Sequence, residues 1–153
     1  MAENKATIKW QRTSPDFLKG KYSREHTWTF DGGITVAASS SPHVVPVPYS
    51  NPANVDPEEA FVASLSSCHM LTFLFFAAKQ GFQMDSYEDD AVGIVTKNEK
   101  GAMWVSKVTL NPKIVFSGDK KPSPEDEKKL HHLAHEQCFI ANSVKTEVIV
   151  GSA

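Results

Sequence analysis

The chain has 153 residues and a formal net charge of −2, a length that fits one domain with a buried core and a charge that gives no electrostatic footprint for nucleic acid or an anionic membrane surface. The opening "MAENKATIKW" is polar, without the apolar centre of a signal peptide, and the longest apolar run, "MLTFLFFAA", is about half of the roughly 20 residues that span a bilayer. The expectation is a soluble cytoplasmic protein without a nucleic-acid or membrane partner, and its two cysteines are too few for a disulfide-stapled secreted scaffold.

In chain order, two short strand signals come first. "TIKWQR" places Ile8 and Trp10 on one face, and "HTWTFDGGITVAAS" alternates on both sides of Asp31-Gly32-Gly33, a hairpin turn because glycine tolerates positive φ. Residues 39–54 have no periodicity and carry prolines at 42, 46, 48 and 52, which predicts a long extended loop. Asp56 and Pro57 then read as the cap and first position of a helix, with Glu58 and Glu59 in its first turn and Gly81 as its stop. The first half of that helix is amphipathic through Phe61, Leu65 and Cys68. Its second half is apolar almost all round and needs cover on every side, from a second helix or a second chain. Residues 90–117 read as a β-meander with breaks at 98–101 and at Asn111-Pro112. Ser123, Pro124, Glu125 and Asp126 mark a second helix start, with Leu130, Leu133, Ala134 and Cys138 as its apolar stripe. "SVKTEVIV" is a closing strand. Strands, helix, strands, helix, strand in that order predict an α+β fold, one domain over 1–153, with helices on an antiparallel sheet.

The chemistry rests on few residues. Cys68 sits among Ser66, Ser67 and His69 in the most hydrophobic helix. A free cysteine often packs as a small hydrophobe, but a thiolate beside a cation is a nucleophile. Cys138 lies near the end of the second helix, in "HEQCFIANS". If the two meet, Cys68 can be oxidised to a sulfenic acid that Cys138 resolves as a disulfide; a sensor pair has the same pattern. His131 and His135 share a helical face at i, i+4 and could make a zinc site with Cys138 and Cys68, although Lys128 and Lys129 beside them favour a solvated helix face. Arginine is confined to Arg12 and Arg24. Arg24 enters the first hairpin strand, where its permanently charged guanidinium is suited to hold a carboxylate together with a thiolate or peroxide oxygen.

The segment "NVDPEEAFVASLSSCHML" resembles the signature of the OsmC/Ohr family of osmotically inducible and organic-hydroperoxide-resistance proteins, in which Asn or Asp precedes "PEE" and small residues lead into "SSC" or "AAC". "HEQCFIANSV" is similar to the family's second-cysteine segment. The resemblance covers nearly the whole chain. It implies an antiparallel sheet wrapped on two long central helices in an intertwined homodimer, and thiol-dependent reduction of organic hydroperoxides. Cys68 matches the peroxidatic cysteine and Cys138 the resolving one, Glu58 matches a glutamate that pairs with an arginine, and Arg24 is the arginine left to do so. His69 and the histidine-rich second helix depart from the pattern. No bound cofactor or metal is expected. An external dithiol would restore the thiols, and Phe61, Leu65, Phe73 and Tyr49 are expected walls for an alkyl chain. The alternative is a non-enzymatic redox sensor or small-ligand-binding protein on the same fold. Ten helical positions place Glu58 and Cys68 about 15 Å apart along one axis, too far for contact, so an antiparallel partner helix would have to bring the other subunit's Glu58 to Cys68.

Overall fold

The alternating N-terminal segments form a three-stranded antiparallel sheet in the computed structural model, which describes residues 1–151. Its strands are β1 (Ala6–Lys9), β2 (His26–Phe30) and β3 (Thr35–Ala38), with β2 in the centre. The β2–β3 turn falls on the Asp-Gly-Gly segment, where Gly33 takes a φ of 95°. This sheet and the proline-rich loop make up one of two compact units, Met1–Ala60; the other is Phe61–Ala153. Within the first unit the loop is tied to the sheet. Glu25 accepts hydrogen bonds from the amides of Asn51 (2.7 Å) and Asn54 (3.4 Å), and the Ser39 N–H donates to the Val55 carbonyl at 2.9 Å.

Helix α1 (Pro57–Lys79) starts where its cap signals place it. The Asp56 carboxylate accepts from the Glu59 N–H at 2.8 Å, and the Glu59 carboxylate accepts from the Asp56 N–H at 3.2 Å, a reciprocal capping box. It ends at Gly81, whose φ of 83° lets the Phe82 N–H turn back to the Ala77 carbonyl. Leu65, His69, Phe73 and Ala77, four residues apart, form its buried ridge. Leu71, Leu74 and Phe75 remain exposed, so the chain by itself covers one side of a helix whose sequence demands cover on all. Helix α1 itself is long and apolar enough to cross a membrane by length and composition, as core helices of soluble proteins can also be. The nine-residue run understated it.

The second unit holds β4 (Gln83–Asp89), β5 (Val92–Lys97), β6 (Met103–Leu110), β7 (Pro112–Ser117), α2 (Pro124–Gln137) and β8 (Glu147–Val150). Two features differ from the expected meander. Strand β4 precedes it, and β7 leaves β6 at Asn111 to pair with β4, while β8 joins β6 in parallel. Strand β4 was illegible because its register shifts between Met84 and Ser86. A bulge there breaks strict alternation, so apolar Met84 and Tyr87, three apart, both pack on the core. That core joins Phe73 and Ala77 to Phe82, Leu130 and Ala134. A second cluster packs Leu65 on Val108 and Leu110.

Gly93 on β5 is where this second unit tolerates least. A Cβ there would lie 2.5 Å from Cγ2 of Val62 on α1, inside van der Waals contact. Gly93→Ala is expected to cost about 1–3 kcal/mol by overpacking. Val62→Ala in the same chain should recover most of it, as measured by urea denaturation; no recovery would mean that strand and helix are not in this contact.

Candidate functional site: a cysteine pair beside a buried imidazole pair

Helical spacing puts Cys68 one step round from the buried ridge, on the side of Ser64, Leu71 and Thr72. These residues, with Ser67, Gln137 and Phe139, line a cavity of about 420 Å³ that opens on Cys68. The hydroxyls of two lining residues point back into the helix: Ser64 donates to the Phe61 carbonyl and Thr72 to the Cys68 carbonyl, both at 2.8 Å. Their spent hydrogen bonds leave a mainly apolar wall.

Cys138 arrives from the other helix. Ser123 caps α2 in a reciprocal box with Asp126, and the helix stops at Cys138, whose extended backbone turns the chain. A short 3-10 turn (Ala141–Ser143) then folds back. Its Asn142 N–H and amide donate to the Cys138 carbonyl at 3.0 and 2.9 Å, and the Ala141 N–H points at Sγ at 3.4 Å. Cys138 is 1% exposed. Burial, and then a side-chain hydrogen bond to Cys68, push its thiol up to about 11. At neutral pH Cys138 therefore keeps its proton, with the Cys68 thiol as its neighbour. A hydrogen bond sets the thiols of residues 68 and 138 side by side, with no disulfide between them.

Two expected wall residues are corrected. Leu65 and Phe73 are 1% and 0% exposed and belong to the two core clusters; they lie on the ridge facing the sheets, not on the Cys68 side. Phe61 lines a separate groove of about 360 Å³ with Trp104, Val105 and Val144. Tyr49, in the N-terminal unit, is half-buried and contributes its carbonyl to the Arg24 N–H at 2.9 Å. Leu71, Thr72 and Phe139, which line the cavity, were not foreseen.

Arg24 and Glu58 do not pair within the chain: among the described residues no ion pair involves either. The guanidinium lies 3.6 Å from the Tyr22 ring centroid and donates to the carbonyls of Gly20 (3.1 Å) and Tyr22 (2.5 Å). The local turn holds it. His26 reinforces that turn, with Nδ1 donating to the Arg24 carbonyl at 2.7 Å while Nε2 accepts from the Trp28 indole at 3.0 Å.

The solvated histidine face holds for His132 alone, which is exposed and meets Glu136 at 3.1 Å. His131 is buried, and its Nδ1 lies 3.0 Å from Nε2 of His69, with the rings within 12° of parallel. Desolvation, then the neighbouring His131 and His135, pull His69 down to about 4; desolvation pulls His131 to about 4 against the opposing charge of Asp89. Both rings are neutral at pH 7. Burial and Asp89 also raise the Tyr87 phenol. Asp89 itself accepts from Ser66 Oγ (2.5 Å) and the Asn111 N–H (2.6 Å). The only hint of the imidazole pair in the sequence is that His69 falls on the 65/69/73/77 spacing. Among the described residues no group of three or more His, Cys, Asp or Glu side chains is arranged to hold a metal ion.

The chain is an α+β fold with two free cysteines side by side at its two helices, and comparison gives the family. Residues 50–152 match the model of the OsmC-like protein family. A Vibrio cholerae OsmC-like protein of unknown function is similar over 99% of both chains, at 60% identity and a TM-score of 0.96. An organic hydroperoxide resistance protein OsmC from Legionella pneumophila shares the fold at 14% identity (TM-score 0.71; 98% of this chain, 94% of the other), as does the organic hydroperoxide resistance protein OhrB of Bacillus subtilis at 18% (0.62; 98% of each). No curated protein matches. The chain belongs to the OsmC-like family.

Proposed function

We propose that the protein is a thiol-dependent peroxidase that reduces organic hydroperoxides. The observation that carries this reading is the contact between Cys68, on the wall of an apolar cavity, and Cys138, buried and protonated behind it. The Cys68 thiolate attacks the distal oxygen of ROOH. The O–O bond breaks, Cys68 becomes a sulfenic acid, and the alkoxide leaves and takes a proton to give ROH. Cys138 then displaces water from the sulfenic acid and forms the disulfide. An external dithiol reduces that bond and is itself oxidised. The apolar lining favours an organic R group over hydrogen peroxide.

The protein works as a homodimer in the cytoplasm, where dithiol reductants are maintained. Support for the dimer comes from the exposed Leu71, Leu74 and Phe75 of α1, an apolar strip that a second copy would cover. In the assembled dimer Arg24 stabilises the ionised thiol and Glu58 orients the guanidinium.

Stopped-flow oxidation of the reduced protein by cumene hydroperoxide tests the reading. Oxidation orders of magnitude faster than that of free cysteine is expected. A rate equal to free cysteine would remove the enzyme and leave a thiol-bearing sensor or binding protein on the same fold.

A further inference from the structure

We propose that His69 and His131 are positioning residues for the cysteine pair: their buried imidazole hydrogen bond holds α2 against α1 in the register that brings Cys138 to Cys68, and acid releases it. The proposal rests on reading Cys68 and Cys138 as a working redox couple.

The same two helices carry both contacts. His69 follows Cys68 directly on α1, and His131 lies seven residues before Cys138, about 10 Å along α2. One contact alone would let α2 pivot. Two contacts, the thiols at its end and the imidazoles two turns earlier, fix its position and rotation together. The Phe73 ring, 4.5 Å from that of His131, closes the remaining side.

The contact depends on protonation because of what surrounds it. A neutral imidazole has one donor and one acceptor nitrogen, and the 3.0 Å contact uses one of each. The other nitrogen of His131, Nε2, is buried without a partner, so the first proton taken up is a charge buried with no acceptor, and with the second both rings present N–H donors to each other across the contact. His69 faces His131 and His135 of α2; His131 faces His69 of α1 and feels Asp89 of β4. The one anion in this set already accepts from Ser66 and the Asn111 N–H. Burial outweighs it, and both rings sit at about 4. An opened arrangement exposes them to water and returns them toward 6.5. Opening therefore gains roughly tenfold for each proton taken up per pH unit below that value.

The test is the equilibrium of the protein dithiol with glutathione disulfide, which yields the protein disulfide and two glutathione thiols. Its constant measures the effective concentration of Cys138 at Cys68. It is read at pH 7 and pH 4.5 by acid quenching and mass spectrometry, with circular dichroism to show that the protein remains folded. In the wild type the constant should fall by roughly threefold or more as the latch opens. In His69→Leu/His131→Leu, which has the same thiols and no titrating pair, it should change by less than half that factor. Equal pH dependence in the two proteins would overturn the proposal; a pair with a merely structural role would alter stability and leave this constant alone. Should the double variant not fold, the wild type suffices: the imidazole N–H resonance shared by the two rings must vanish over the pH interval in which the constant falls, and its persistence, or a constant that does not fall, overturns the latch. Cumene hydroperoxide oxidation at pH 7 keeps the two readings apart. Rapid oxidation with a flat constant removes only the latch, whereas a falling constant with no oxidation removes only the peroxidase.

Discussion

Cys68→Ser should lower organic hydroperoxide reduction by at least about 10³-fold, to the level of the uncatalysed background, because a serine hydroxyl is neither ionised at neutral pH nor nucleophilic toward peroxide oxygen. Cys138→Ser should behave differently. Its first turnover survives, since Cys68 still meets the substrate in the 420 Å³ cavity, but the sulfenic acid has no buried thiol to condense with. It should accumulate one equivalent per chain, detectable as a dimedone adduct by mass spectrometry, and steady-state turnover should collapse toward the rate at which external thiol can enter. The asymmetry follows from the proposed roles, which rest on Cys138 holding its proton, pushed up to about 11, and on Cys68 lining the cavity. If Cys138→Ser lost its first turnover and Cys68→Ser kept it, the roles would be reversed and the order of steps with them. If both lost only a fraction of activity, the thiols would not be the reacting groups.

The elements easiest to read in the sequence were those with strong local signals. Asp56 and Ser123 cap their helices as their neighbours dictate, Gly81 ends α1, and the Asp-Gly-Gly turn joins two alternating strands. Local chemistry determines these, and local chemistry is what a sequence displays. Strand β4 failed for a definite reason, since the bulge after Met84 replaces alternation by a spacing of three. The pairing of β7 with β4 and of β8 with β6 depends on contacts between distant segments, which no window of sequence carries. The same division runs through the site. Cys68 and Cys138 were recognisable as chemistry, and their contact across 70 positions was expected from a family resemblance rather than from spacing. The wall residues went wrong because "apolar and near Cys68" describes two sides of α1: Leu65 and Phe73 sit on the buried ridge, while Leu71 and Thr72 line the cavity. His131 was misplaced for the converse reason. Adjacent lysines and a polar ring suggest solvent, and only the partner offered by His69 makes burial tolerable.

That burial carries the other large expected effect, on folding stability against pH. An imidazole with an unfolded value near 6.5 and a folded value of about 4 binds more protons in the unfolded chain throughout that interval. Stability is therefore complete above about 6.5 and drains away as the pH falls toward 4. For His69, almost wholly buried, the loss amounts to about 3 kcal/mol, a large fraction of the 5–15 kcal/mol by which domains are typically stable. His131 shares the same proton traffic, so the two losses are coupled and do not simply add. At the alkaline end Cys138 acts with the opposite sign. Its raised thiol keeps a proton that the unfolded chain releases from about 8.5 upward, and stability falls again as the pH climbs toward 11. Urea unfolding from pH 4 to 10 should therefore give a plateau between about 6.5 and 8.5 with a shoulder descending on each side. His69→Leu/His131→Leu should flatten the acid shoulder and leave the alkaline one, whereas Cys138→Ser should do the reverse. An acid shoulder that persists unchanged in the double variant would mean that carboxylates, not the imidazole pair, make the protein acid-labile.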